Sequence, residues 1–401
     1  MPNSSEIIEQ AEQVSAHNYA PLPVVLTRAE GVWAWDVEGR KYLDCISAYS
    51  SLNQGHRHPA IIDALLRQSA RLTLTSRAVH NDRMGPFLAK LCALTQMQKA
   101  LPMNTGAEAV ESAIKLARKW GYRSRGIPRD RAEIVVCRNN FHGRTTTIVG
   151  FSSEPQYRDD FGPFDGGFRM IDFDDSRQLS EAIGPNTAAF LVEPIQAEAG
   201  ILVPRDGYLT EVRRICRDAN VLMILDEVQT GFGRTGKLFA YQHDADAKPD
   251  LLVLGKALGG GVYPVSAVVA DSSVMDLLTP GDHGSTFGGN PLASAVGEAS
   301  LDVIVNEKLA ERAAASGKRL TRGIREIHSK HIRDVRGKGL LIGIEIEPAS
   351  GTAGDFARRL LSLGVLCKDT HRQVLRLAPP LTIDQGELEW LLGVLGRALA
   401  D

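Results

Sequence analysis

The chain has 401 residues, of which 43% are hydrophobic and 23% charged, and its formal net charge is −2 at pH 7. That length allows two or three structural units, and the globular composition excludes a fibrous or disordered polymer. So even a balance of charge leaves no electrostatic footprint for nucleic acid or an anionic membrane, and no apolar run approaches bilayer length.

No Lys or Arg precedes Arg28, while Glu6, Glu9 and Glu12 fall early, so neither a secretory signal nor a mitochondrial presequence is expected. Five scattered cysteines (Cys45, Cys92, Cys137, Cys216, Cys367) with no CxxC pattern predict reduced thiols packed in a core, no metal site, and a cytoplasmic location. Residues 1–55 read as short strands and turns that contribute to a smaller unit and to a site rim. Residues 56–290 read as a large α/β unit. Its apolar runs Ile134–Cys137, Ala188–Val192, Val221–Leu225, Leu251–Leu254 and Val265–Val269 are separated by crossover lengths, which predicts a mostly parallel sheet covered by helices. Tyr208–Asn220 is one such helix, with Leu209, Val212 and Ile215 or Cys216 on one face. After Asn290-Pro291 a smaller α+β unit is expected over 291–401. It has a long helical stretch to about Ser329, a Gly-rich strand Gly339–Ile346, a helix near Asp355–Leu363, a strand Val374–Leu377 and a last helix from Asp384.

Within this frame a few segments carry chemistry. Gly231–Lys237 (GFGRTGK) matches both a dinucleotide and a P-loop pattern. Leu238 stands where a P-loop needs Ser or Thr, and Glu227–Thr230 separate the glycines from the strand end, so a tight surface turn is the better reading. Lys256 follows the strand Leu251–Leu254 among glycines and apolar flanks, where desolvation favours a neutral, nucleophilic amine. Asp226 closes another apolar strand and calls for a cationic partner, either an ordinary Arg or a protonated pyridine nitrogen. Thr105 and Glu108 form a capping box at the start of a helix whose Val110, Ala113, Ile114, Ala117 and Gly121 share one face, and Gly106 and Ala107 leave its first N–H groups open to an anion. Gly284–Asn290, with Ser285 and Thr286, is a hydroxyl-bearing turn and a second phosphate candidate.

Together and in order, NTGAEA (104–109), LDEVQTGFGRTG (225–236), LGKALGGG (254–261) and GSTFGGNP (284–291) resemble the signature of class III pyridoxal-phosphate aminotransferases. The resemblance covers nearly the whole chain and takes in GFGRTG, which removes the nucleotide reading. AHNYAPLPV (16–24), DVEGRKYLD (36–44), SAYSSLNQGHRHP (47–59), LTLTSRA (72–78), VEPIQAEAG (192–200) and RLAPPL (376–381) are similar to the members of the class that transaminate ornithine. The resemblance implies an α/β fold of the type I aminotransferase kind and pyridoxal 5'-phosphate as cofactor.

Residue by residue, it implies Lys256 as Schiff-base lysine, Asp226 as partner of the ring nitrogen, Gln229 near the ring hydroxyl and Phe141 stacked on the ring, with His142 beside it. The phosphate would rest on Gly106 and Ala107, with Ser285 and Thr286 nearby, Thr286 coming from a second subunit of a homodimer. Tyr19, Tyr49, Arg144, Glu198 and Arg376 would hold substrate, Glu198 and Arg376 as a pair. Two positions depart from the pattern: Ala197 replaces a usual Gly, and His142 a common Trp. The implied reaction moves the δ-amino group of ornithine to 2-oxoglutarate. Acetylornithine or 4-aminobutyrate as donor, an aminomutase of the same fold, and a non-catalytic cofactor-binding scaffold are the competing readings.

Overall fold

The computed structural model describes residues 3–400. Its central sheet has seven strands in the order Lys99–Met103, Ser266–Ala270, Leu251–Leu254, Leu222–Asp226, Thr187–Val192, Glu133–Cys137, Phe168–Ile171. The last five run parallel, and Ser266–Ala270 is antiparallel to both its neighbours. Every residue of the strands 187–192, 222–226, 251–254 and 266–270 is buried, as runs without a polar face require. Successive side chains go to opposite faces. Leu252, Leu254, Met223 and Leu225 join a core with Ile61, Phe87 and Val296, while Leu251, Val253, Leu222 and Ile224 join a second core with Val110, Ala113 and Ile114. The sheet is therefore sandwiched between helices: Gly106–Arg123 on one face, and Pro59–Ser69, Met84–Thr95 and Pro291–Asn306 on the other.

A second sheet joins Ile332–Lys338, Leu341–Ile346, Val374–Leu377 and Lys368–Thr370, all antiparallel. A third joins the N-terminal strands Leu26–Glu30, Trp33–Asp36 and Lys41–Asp44 to Val365–Leu366, so the start of the chain pairs with its C-terminal part. The strand Ile332–Lys338 escaped sequence reading because its residues are mostly charged and half-exposed. The long helix expected after Pro291 is two helices, Pro291–Asn306 and Leu309–Arg325, broken where Lys308 takes a left-handed conformation (φ 52°). Four of the five cysteines are buried, Cys92 is partly buried, and all are free thiols. Among the described residues no helix is long and apolar enough to cross a membrane, and no group of three or more His, Cys, Asp or Glu could hold a metal ion.

The GFGRTG turn corrects an expectation: it lies in the interior rather than on the surface. Arg234 is fully buried. Its Nε and Nη2 donate to Asn53 Oδ1 (3.2 and 2.7 Å), and its Nη1 donates to the carbonyls of Leu340 (3.0 Å) and Pro379 (2.6 Å). One cation thus ties three distant segments together through neutral acceptors, and burial lowers its pKa to about 9. Gly233 (φ 90°) makes the close approach possible, since a Cβ there would lie 3.2 Å from the Ala310 amide nitrogen. Replacing Arg234 with Met removes four donated bonds from buried acceptors. A loss of about 3–5 kcal/mol in urea unfolding is expected, and an unchanged midpoint would show that the cation is dispensable.

Candidate active site

The site forms where the parallel strands end, on the carboxyl edge of the sheet. Lys256 follows the strand 251–254, Asp226 closes the adjacent strand 222–226, and Glu193 follows the next, 187–192. Gly255 lets the lysine turn approach the helix opposite, because a Cβ built there would already touch Gly106 Cα at 3.6 Å. Lys256 itself takes φ 44°, a left-handed conformation that side chains disfavour. Its Nζ donates to Gln229 Oε1 at 2.7 Å. Burial pulls the pKa of this amine down to about 8, the charge of Glu198 opposing the shift and that of Arg376 adding to it.

Asp226 is 6% exposed. Its Oδ2 accepts from His142 Nδ1 at 2.7 Å, and its Oδ1 accepts from the Val228 backbone at 3.0 Å. A carboxylate only accepts, so the His142 proton sits on Nδ1. Burial would push the His142 pKa down, but the hydrogen bond and charge of Asp226 outweigh it and the net shift is upward. The substitution of His142 for an aromatic residue thus gives the Asp226 carboxylate a side-chain donor as well as changing the ring packing. Ala197, the other departure, is fully buried against Ile195, Ile201 and Leu341. Glu193 was not foreseen, although its place after an apolar strand is the same signal that marked Asp226. Its Oε1 accepts from the Phe141 amide at 2.9 Å, and burial, with the Asp226 charge adding and His142 opposing, raises its pKa to about 8. Glu227 takes no part in this cluster. It accepts from the amides of Ala240 (2.6 Å) and Tyr241 (2.8 Å), capping the short turn Ala240–His243.

The helix Gly106–Arg123 starts as expected. Thr105 Oγ1 accepts from the Glu108 amide (3.2 Å), and Glu108 Oε2 accepts from the Thr105 (2.7 Å) and Asn104 (3.0 Å) amides. The Gly106 and Ala107 N–H groups are left with no intrahelical acceptor at the positive end of an 18-residue helix. Two adjoining cavities share Gly106 and Lys256. One, of about 200 Å3, is lined among others by Phe141, His142, Glu193 and Asp226, and the other, of about 460 Å3, by Asn104, Thr105 and Tyr263. Ser285 Oγ accepts from Asn104 Nδ2 at 2.9 Å, beside the helix start, whereas Thr286 is exposed.

The substrate candidates divide. Arg376 is 3% exposed, and its Nη1 donates to Glu198 Oε1 at 2.6 Å. Burial raises the Glu198 pKa, but Arg376 and Lys256 together outweigh it, and the carboxyl lies below its ordinary value. The Tyr49 ring lies under the Arg376 guanidinium at 4.7 Å. Tyr49 is carried there by Ser47–Ser50, four consecutive non-glycine residues at φ 47, 44, 58 and 70°, a turn anchored by Asp44 Oδ1 accepting from the amides of Ile46 and Ser47. Arg144 lies over Tyr157 (3.5 Å) and near Phe141 (5.6 Å). Tyr19 is 73% exposed, and among the described residues no hydrogen bond, ion pair or ring contact joins it to the other site residues.

These residues fit pyridoxal 5'-phosphate. The open helix start suits a phosphate, a buried carboxylate suits a pyridinium nitrogen, a lysine of lowered pKa suits an aldehyde, and His142 Nε2 is a buried polar atom on the cavity wall without a hydrogen-bond partner among the described residues. The Aminotransferase class-III family profile matches residues 14–399. The chain is a class-III aminotransferase. This aminotransferase is 50% identical over 399 residues to the ornithine aminotransferase of Brevibacillus brevis, covering 100% of this chain and 99% of that one. It is 52% identical to that of Bacillus subtilis, covering 100% and 98%. Among solved structures, an ornithine aminotransferase from Toxoplasma gondii has a TM-score of 0.98 at 44% identity, covering 100% and 95%. An acetylornithine aminotransferase from Elizabethkingia anophelis has a TM-score of 0.90 at 47% identity, covering 100% and 99%.

The buried Glu193 carboxyl sets a pH dependence of stability. The folded chain keeps its proton up to about pH 8, while the unfolded chain releases it near the ordinary carboxyl value of 4.5. Stability therefore falls as pH rises through that window, and the deficit is complete above it. In urea unfolding of the apoprotein, Glu193→Gln should lose on the order of 2–4 kcal/mol less than the parent between pH 5 and 9. Parallel pH slopes for the two proteins would place the Glu193 titration elsewhere.

Proposed function

We propose that this class-III aminotransferase transfers the δ-amino group of L-ornithine to 2-oxoglutarate with pyridoxal 5'-phosphate as cofactor. The products are glutamate and glutamate 5-semialdehyde, which cyclises to pyrroline-5-carboxylate. The observation that carries the substrate assignment is the Glu198–Arg376 pair at 2.6 Å beside Lys256, set against an Arg144 that has no carboxylate partner among the described residues. The cofactor, when bound, supplies an aldehyde carbon to take the amine and a ring that accepts the electron pair left as the substrate C–H bond breaks.

The chain does the rest. Lys256 Nζ, with a pKa near 8, is divided between its charged and neutral forms close to neutral pH, so it can both take and return a proton at the reacting carbon. Asp226, oriented by His142, provides the negative charge for a ring nitrogen, and Gly106 and Ala107 provide N–H donors for a phosphate. Gln229 would approach the ring hydroxyl. Ornithine brings a δ-carbon without a carboxylate to the lysine. An unmasked Arg376 would draw in its α-carboxylate and present the wrong amine, and pairing with Glu198 prevents this. Arg144 then anchors the α-carboxylate at the far end. When a diacid enters, Arg376 exchanges Glu198 for a bidentate grip on the carboxylate next to the reacting carbon, and Arg144 takes the other. Tyr49 lines the pocket, and Tyr19 joins Arg144 at the distal carboxylate.

The same reading makes the enzyme a homodimer, with the exposed Thr286 of one protomer reaching the phosphate end of the other site. It divides the chain into a rim segment (1–55), a cofactor-binding unit (56–290) and a smaller unit (291–401).

Product analysis tests the reading. Ornithine plus 2-oxoglutarate should yield glutamate and pyrroline-5-carboxylate in equal amounts. N-acetylornithine run in parallel should be the poorer donor, and a higher kcat/KM for it would assign the enzyme to acetylornithine, as the Elizabethkingia relative is named. The masking role of Glu198 predicts that Glu198→Ala loses selectivity for the δ- over the α-amine by about tenfold or more, since one buried charge pair is removed. Unchanged regioselectivity in that variant would refute the masking.

A further inference from the structure

Each of the two arginines in the substrate site sits on a tyrosine ring, but their other surroundings differ. Arg376 lies 4.7 Å from the Tyr49 ring centroid and is also held by Glu198. Arg144 has no hydrogen bond and no ion pair among the described residues. Its only close neighbours of this kind are aromatic: Tyr157, whose ring centroid is 3.5 Å from its Cζ, and Phe141 at 5.6 Å. An exposed guanidinium on a flexible stem normally samples many rotamers, and a ring face at 3.5 Å restricts it.

Tyr157 is well placed to restrict it. It sits in the short helical turn Pro155–Arg158 and is half-buried. The turn is fixed to its base by the Glu154 amide donating to Ser152 Oγ (3.1 Å) and by Arg158 Nη1 donating to the Ser152 carbonyl (3.1 Å), while Arg158 itself lies over Phe164 at 5.2 Å. The Tyr157 ring meets Phe141 edge-on at 6.1 Å, and Phe141 lines the cavity that holds Asp226 and Lys256. Glu198 is close enough for its charge to act on the Tyr157 hydroxyl. A continuous aromatic surface therefore links the cavity wall to the unpaired arginine, and the part that carries Arg144 comes from a segment to which no other role is assigned.

We propose that Tyr157 is a positioning residue for carboxylate specificity: its ring face holds the unpaired Arg144 guanidinium ready for the substrate carboxylate farthest from the reacting carbon. This rests on the ornithine and 2-oxoglutarate reading given above and adds a residue to it. The ring does the work, and the hydroxyl, which makes no hydrogen bond among the described residues, is dispensable. Any substrate that needs Arg144 depends on Tyr157, and any substrate that uses Arg376 alone does not. Ornithine and 2-oxoglutarate belong to the first group. Pyruvate, an oxo acid with a single carboxylate, belongs to the second.

The test uses the holoenzyme and the variants Tyr157→Phe and Tyr157→Leu, with Tyr157→Met as the substitute should the leucine variant fail to fold. Removing the ring should raise KM for both ornithine and 2-oxoglutarate roughly three- to thirtyfold, the range of a partly desolvated cation–π contact, with kcat within about twofold. Activity with pyruvate as acceptor should keep its kcat/KM within about twofold, and Tyr157→Phe should behave as the parent with all three. In an Arg144→Ala background, Tyr157→Leu should add nothing further to KM. The proposal is overturned if the leucine variant keeps the parent KM, if pyruvate suffers as much as 2-oxoglutarate, or if the two substitutions remain additive. If the parent enzyme gives no pyrroline-5-carboxylate from ornithine, the substrate reading fails separately. The ratio of 2-oxoglutarate to pyruvate still decides the role of Tyr157.

Discussion

The site depends on the cost of taking charge out of water at one edge of a sheet. Three neighbouring strands each end in an ionisable side chain, Lys256, Asp226 and Glu193, in a part of the molecule where every strand residue is buried. Left unpaired, such groups would cost several kcal/mol each. They settle by sharing protons and charge. The lysine pKa falls to about 8 and that of Glu193 rises to about 8, while Asp226 takes a proton donor from His142. Two groups poised near neutrality next to the Asp226 side chain give an arrangement suited to moving protons, and burial together with the neighbouring charges sets it.

Precision in this edge is maintained by elements that do no chemistry. The left-handed run Ser47–Ser50 stores backbone strain of roughly 1–2 kcal/mol per residue, which Asp44 and the surrounding burial must offset, and the result is a tyrosine ring fixed under Arg376. Arg234 plays the corresponding part on a larger scale. Its bonds to Asn53, Leu340 and Pro379 connect the segment after Tyr49 to the strand region that carries Arg376. The two walls of the substrate site are thus referenced to one buried cation.

Five of the seven strands of the large sheet were legible in the sequence because burial on both faces writes an unbroken apolar run, whereas the edge strands Lys99–Met103 and Phe168–Ile171 were not; Leu251–Leu254 agrees to the residue, as does Val374–Leu377 in the second sheet. Lys256, Asp226 and the open start of the helix at Gly106 were legible for the same reason, as polar or small residues at the ends of such runs. Ile332–Lys338 was not, because a half-exposed strand carries no apolar signal. Nor was the interior position of Arg234, since its acceptors are a side chain and two carbonyls more than a hundred residues away in sequence, and no local pattern records them. Tyr157 lies in a four-residue turn whose only distinguishing mark is spatial, the guanidinium above its ring.

In the proposed reaction, the asymmetry between the two arginines would allow one site to serve two unlike substrates. A site with both arginines paired would bind neither carboxylate well, and a site with both free would bind any α-amino acid by its reacting end. Here the inner arginine is paired with an internal carboxylate, so on the proposed reading only a ligand offering a carboxylate beside the reacting carbon would compete for it, at the cost of displacing Glu198. The outer arginine carries only a ring, which orients a cation without neutralising it and is displaced from nothing when a carboxylate arrives. In the proposed reaction both half-reactions would then use the outer contact, and the inner one would answer only to the diacid. Discrimination between them would then rest on the strength of the single Glu198–Arg376 ion pair.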